Sequence, residues 1–273
     1  MSLKEALVKL QQVAAEVTGA SLPADPKVAK ANRLILEDVI RQLTGVATQL
    51  DSVVRPASFF DPTDPETAGR ILALTLVAQL RHPMPPPTTF YGSGIYALYY
   101  KGDFKPYQPI SQSEHPIYVG KADPGRQNAK DSVSQGIKIA ARLAEHAKSI
   151  RSATSTLRLS DFECRYLVVQ SGFQKPAEDF LIHFFKPIWN SETKICFGLG
   201  KHGDSSETRG NKRSPWDTIH PGRKWATSST SDQKPEAQIR QEIANHLDLF
   251  KPYQNVAEVF ERFMLEMRQS DVS

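Results

Sequence analysis

Cysteine is nearly absent: two residues in 273, Cys164 and Cys196. Two thiols 32 positions apart make no disulfide framework and no close pair of the kind that holds tetrahedral zinc. Both read as reduced, buried thiols. Long apolar runs are missing too. None approaches the roughly 20 residues that span a bilayer. The first residues, MSLKEALVKLQQ, are charged and amphipathic and lack the apolar core of a signal peptide. The expectation is a cytoplasmic protein with no membrane contact. There is no Walker A sequence. The one G-x-G-x-x-G, at Gly198, Gly200 and Gly203, leads into a polar, Gly- and Pro-broken stretch where a dinucleotide fold needs a helix, so no nucleotide cofactor is expected. Internal repeats and long low-complexity tracts are also absent.

What remains is an ordinary globular composition, 40% hydrophobic and 23% charged. The net charge of +4 is small but unevenly spread. Residues 1–88 hold nine Lys/Arg against nine Asp/Glu, residues 89–196 hold 14 against 10, residues 197–226 six against three, and residues 227–273 five against eight. Positive charge collects in the middle, where a polyanion gains most from counterion release.

The N-terminal part is helical. Ser2 and Glu5 fit a capping box, and Leu3, Leu7, Leu10, Ala14 and Val17 follow on one helix face, with Gly19 as a stop. Asp25-Pro26 starts a second helix with Val28, Leu36, Val39, Ile40, Leu43, Ala47 and Leu50 as its stripe. This reads as a helical hairpin whose stripes pack onto the body of the protein or onto a second subunit. A third helix is predicted from Pro65 to about Arg81. Pro83, Pro85, Pro86 and Pro87 then form a stiff connection, and a domain boundary is placed near residue 88.

The middle carries the chemistry. Gly94-Ile95-Tyr96-Ala97-Leu98-Tyr99-Tyr100 and Pro116-Ile117-Tyr118-Val119-Gly120-Lys121 read as two antiparallel strands. A helix over Val133–Ile150 puts Arg142 and His146 four apart on one side. Asp161–Gln170 reads as a third strand. Pro176 opens a helix with Glu178 and Asp179 in its first turn, where an acidic residue also suits the helix dipole. Lys186-Pro-Ile-Trp-Asn190 follows.

This series resembles the GIY-YIG nucleases, specifically their type II restriction endonuclease branch. Gly94-Ile95-Tyr96 matches the first tripeptide literally; Tyr118-Val119-Gly120 has Val for Ile in the second. Arg142 matches the arginine of the first core helix, His146 a histidine of the restriction branch, Glu178 the metal-holding glutamate and Asn190 the closing asparagine. The resemblance implies an α+β fold, a small three-stranded antiparallel sheet flanked by helices, over residues 89–196. Helices are added before it (1–88), and a basic loop plus helices follow it (197–273). It implies Mg²⁺, with Mn²⁺ able to substitute, held by Glu178. Tyr96 would orient or deprotonate the water, its acidity raised by nearby cations among Lys121, Arg142 and His146, or neutral His146 would accept the tyrosine proton. Tyr118 and Asn190 would position the reacting groups. Implied partners are double-stranded DNA and a second copy of the chain, with 5′-phosphate and 3′-hydroxyl ends at a GC-rich palindrome.

One departure is the 21 residues between Tyr96 and Tyr118, where the family commonly has about ten. Extra segments there embrace DNA in the restriction branch, which brings in Lys101 and Lys105. Lys201, His202, Arg209, Lys212, Arg213, Arg223 and Lys224 are the further DNA contacts expected from the basic tail. Ser214–Ala226 also resembles a C-terminal stretch of the restriction branch. The alternatives are a GIY-YIG repair, recombination or homing nuclease, and a non-catalytic DNA-binding protein on a nuclease scaffold. Glu192-Thr193-Lys194 mimics the E-x-K of another nuclease fold but lacks an upstream acidic strand partner.

Overall fold

Ser2 and Asp25 begin the first two helices in the way their side chains dictate. A computed structural model describes residues 1–53, 60–200, 212–227, 229 and 231–269. In α1 (Leu3–Gly19) the Ser2 hydroxyl accepts from the Glu5 amide while the Glu5 carboxylate accepts from the Ser2 amide. In α2 (Pro26–Gln49) the Asp25 carboxylate accepts from the Lys27 amide. These helices make up a first unit, Met1–Ala57. Neither buries a residue, and Leu7, Val17, Val28, Leu36, Val39, Ile40 and Leu43 are exposed.

The second unit is Ser58–Ser273. It includes α3 (Pro65–Ala78), capped by Asp64. The sequence grouped that helix with the N-terminal extension. Its Ala73, Leu76 and Val77 are buried with residues of the core sheet, so α3 belongs with the core in this second unit.

The sheet is antiparallel throughout, in the order β1 (His82–Pro83), β4 (Phe162–Val168), β2 (Gly94–Tyr100), β3 (Tyr118–Ala122). It has four strands where three were expected. The additional one lies in the proline-rich approach, where His82 pairs with Cys164 and Pro83 with Glu163. An edge position tolerates Pro83 because a proline there forfeits no ladder bond on its outer side.

Every residue of central β2 is buried. Tyr96, Leu98 and Tyr100 face one cluster, with Ile139, Leu143, Ala147 and Ile150 of α5 (Lys138–Ser152), which follows the short α4 (Ser132–Gln135). Ile95, Ala97 and Tyr99 face the other, with Ala177, Leu181 and Phe185 of α6 (Gln174–Phe185) and the buried face of α3. The period of two therefore supplies both layers. Each large apolar side chain so buried contributes about 1.5–3 kcal/mol. The single helix predicted over 133–150 is broken at Gly136 into α4 and α5.

The insertion between β2 and β3 turns into the protein. Its 3₁₀ turn, Lys105–Ile110, buries Tyr107 and Ile110. The Tyr107 hydroxyl accepts from the Trp189 indole (2.9 Å), pairs with His220 Nε2 (2.7 Å) and lies 3.4 Å from Cys196 Sγ. His220 Nδ1 pairs in turn with the Thr156 hydroxyl at 2.8 Å.

The tail closes over this network. The parallel pair β5 (Lys212–Arg213) and β6 (Ser231–Asp232) brackets α7 (Pro215–Ile219) and α8 (Lys224–Thr227). Trp216 of α7 and Ile239, Ile243 and Leu247 of α9 (Glu236–Leu249) join the first cluster, and Val259 and Phe263 of α10 (Val256–Gln269) join the second. Both C-terminal helices are thus core walls.

Candidate active site

Tyr96 lies at the middle of β2, paired across the sheet with Gly120 of β3. Its ring covers that glycine: a methyl group on Gly120 would sit 2.6 Å from the Tyr96 hydroxyl oxygen. The first tripeptide's glycine has an equally local cause, since a Cβ on Gly94 would lie 2.0 Å from the Leu167 carbonyl oxygen of neighbouring β4. Both motif glycines are thus places where no side chain fits.

Helix α5 is seated by Ile139, Leu143, Ala147 and Ile150. This turns His146 inward, where its Nε2 meets the Tyr96 hydroxyl at 2.8 Å, both groups fully buried. The Tyr118 ring stands edge-on to His146 at 5.1 Å and tilted to Tyr96 at 6.3 Å. One turn before His146, half-exposed Arg142 donates to Glu145 at 2.8 Å. Lys121 is held by Asp123. A cleft of about 500 Å³ opens above these groups, lined by Tyr118, Lys121, Asp123, Lys138, Arg142 and Glu178.

Burial governs the acidities. It holds the Tyr96 phenol well above its ordinary value, reinforced by Tyr118 and opposed by the Arg142 guanidinium. Burial, with Glu178 next, pushes the Tyr118 phenol up to about 12. Burial also raises the Glu178 carboxyl to about 7, against the pull of Lys121. A desolvated carboxyl in an open polar cleft is one that a cation would return to its charged form. Among the described residues no group of three or more His, Cys, Asp or Glu side chains could hold a metal. A lone carboxylate fits Mg²⁺, which keeps most of its shell as water and substrate phosphate. Asp179, the neighbouring acid, is exposed and paired with Lys175 at 2.7 Å.

The family model of the Eco29kI GIY-YIG domain matches residues 88–247, over half of the chain. The chain belongs to this family. It carries a GIY-YIG nuclease domain of the restriction-endonuclease kind, whose substrate is DNA. No curated protein matches the chain. Among the described residues no helix is long and apolar enough to cross a membrane. The match passes well beyond the stretch 91–190 that carries the motifs and ends within α9, so the tail that walls the GIY-YIG core lies mostly inside it.

Tyr96, Tyr118, Lys121, Arg142, His146 and Glu178 come together in and beneath the cleft. Asn190 does not. Its side chain accepts from the Val119 amide and donates to the Val119 carbonyl, each at 2.9 Å, so it clamps β3 and does not line the cleft. The expected DNA contacts divide. Lys105, Lys212 and Lys224 are exposed. Lys101 is paired with Glu163 at 3.0 Å, and Arg213 is bound through two nitrogens to Asp232 at 2.7 and 3.2 Å.

Arg223 is a misreading: it is buried, gripping Asp217 at 2.6 and 2.7 Å and the carbonyls of Leu199 and Gly198. A polar stretch does not reveal that a charge six residues away will bury its cation. Lys201, His202 and Arg209 lie outside the described residues.

Lys138 also lines the cleft, one turn before Arg142 at the spacing that pairs Arg142 with His146. Gly200 was read only as part of a false fingerprint. A methyl group on it would lie 3.8 Å from the Tyr118 hydroxyl, so the chain borders the cleft just before residue 201.

Proposed function

We propose that the chain is a site-specific type II restriction endonuclease that hydrolyses double-stranded DNA in a Mg²⁺-dependent reaction. The observation that carries this is the Tyr96–His146 hydrogen bond of 2.8 Å beneath a cleft whose walls hold Arg142 and Glu178. Because burial keeps the Tyr96 phenol neutral, the tyrosine reacts only if its proton has somewhere to go. His146 Nε2 is that acceptor: as the attacking water gives its proton to the Tyr96 oxygen, the phenolic proton passes to the imidazole. Arg142 would release Glu145 and turn its fork of donors to the non-bridging phosphate oxygens. Tyr118 and Lys121 would orient the phosphate from β3, which Asn190 holds in place.

Glu178 would hold one Mg²⁺, Mn²⁺ substituting, and the ion when bound would neutralise phosphate charge and stabilise the departing 3′ oxygen. The products are then a 5′-phosphate and a 3′-hydroxyl. The resemblance to the restriction branch supports a GC-rich palindromic target. Two copies of the chain would supply the two cuts, since a two-fold dimer mirrors a palindrome.

Purified protein with plasmid and Mg²⁺ provides the test. Discrete fragments with 5′-phosphate ends are expected. Nicking confined to branched DNA would indicate a repair nuclease. Binding without cleavage in the presence of any divalent cation would leave a scaffold that only holds DNA.

A further inference from the structure

We propose that Lys138 is a positioning residue for cleavage, binding the phosphate next to the scissile one on the same strand. The inference rests on the nuclease reading above and names a contact that the family motif does not supply. Lys138 is the first residue of α5 and stands four before Arg142, so the two share a helix face with an axial offset of about 6 Å. That offset is comparable to the separation of consecutive phosphates along a DNA strand. Both side chains line the same cleft.

The charges of the cleft single Lys138 out. Arg142 is held by Glu145 and Lys121 by Asp123. Among the described residues no carboxylate lies within ion-pair distance of Lys138, and the first turn of α5 holds no acidic residue. Yet Lys138 is half-buried. Its stem passes the turn at Gly125, where even a methyl group would come within 3.3 Å of the lysine Cε. The stem is packed, and the ammonium has no counter-charge among the described residues. A phosphate in the cleft would supply that charge without first displacing a carboxylate, as it must at Arg142. Lys138 would therefore engage DNA before the chemistry and set the register of the strand over Tyr96.

The test uses the full-length protein and a duplex spanning the cut mapped with the wild type. Binding is measured with Ca²⁺ in place of Mg²⁺ across a salt series, and cleavage in single turnover at saturating enzyme. For Lys138→Ala, affinity at low salt should fall on the order of 10-fold, and the slope of log K against log salt should flatten by about one. The saturated cleavage rate should fall as well, on the order of 10-fold, because the strand then lies out of register over Tyr96. Lys138→Arg should restore both affinity and slope. Lys138→Gln, which keeps the stem, should behave like alanine, separating loss of charge from loss of packing. An unchanged salt slope in Lys138→Ala, with the wild type cutting normally, overturns this inference and leaves the nuclease reading intact. A wild type that neither binds nor cuts duplex DNA overturns both.

Discussion

Among the described residues two buried tyrosine–histidine pairs have nearly equal geometry, Tyr96–His146 at 2.8 Å and Tyr107–His220 at 2.7 Å. Burial raises both phenols well above their ordinary value. Their surroundings differ. Tyr107 also accepts from Trp189, and the far nitrogen of His220 meets Thr156, so the second pair sits in a satisfied chain of neutral groups. Tyr96 lies below a cleft, with Arg142 opposing the effect of burial and Glu178 near enough to be felt. The hydrogen bond alone therefore does not mark a reactive site. Access to substrate does; nearby charge alone does not, since Arg240 and Arg223 also act on His220.

Breaking the two pairs should give opposite results. The largest effect is expected next to the first: Glu178→Ala should lower Mg²⁺-dependent cleavage by about 10⁴-fold, matching the several kcal/mol a metal supplies to transition-state charge. DNA binding and the thermal midpoint should be kept. Undiminished cutting would remove Glu178 from the site. Tyr96→Phe should slow single-turnover cleavage by about 10³-fold; a near-normal rate would leave His146 as the direct base.

Acid should act through buried histidines away from the catalytic cleft. His115 is buried and neutral, its burial lowering it from 6.5 to about 4, and burial holds His220 well below 6.5 as well. In both cases the unfolded chain takes up the proton first. Stability is then complete above about pH 6.5 and falls as pH drops toward 4, with His115 alone accounting for about 3 kcal/mol across that window. Urea midpoints that do not move with acidification would contradict this.

Tyr107→Phe should cost about 1–3 kcal/mol, because it leaves the Trp189 indole and His220 without their partner. Cleavage at a temperature where the variant is folded should be unchanged. Smallest of all, Thr156→Val, at the half-buried end of that chain, should cost about 1 kcal/mol or less in a thermal melt and nothing in activity.

The first pair was legible in the sequence and the second was not. Tyr96, Tyr118, Arg142, His146 and Glu178 sit on elements with local signals: two strands of period two, and two helices whose faces follow from spacing. Tyr107, Trp189, Cys196 and His220 are spread over more than a hundred positions, and nothing nearby in sequence shows that they meet. For the same reason the segment that carries Lys101 and Lys105 does not show in sequence that its Tyr107 turns into the core. Strand β1 escaped notice because two residues beside prolines show no period. Asn190 was found by its motif position, but the motif does not say that its amide faces backbone.

The Tyr107 network also sets limits on any attempt to transplant this catalytic apparatus. A graft of residues 91–190 would carry the cleft side chains named by the motif, but it would leave behind Trp216, His220 and the buried face of α9. Tyr107 and Trp189 would then lose the cover that the tail gives them. The smallest portable module must begin with α3 and run through α10, so recombination or trimming within the tail removes part of the core even where it spares every residue of the cleft.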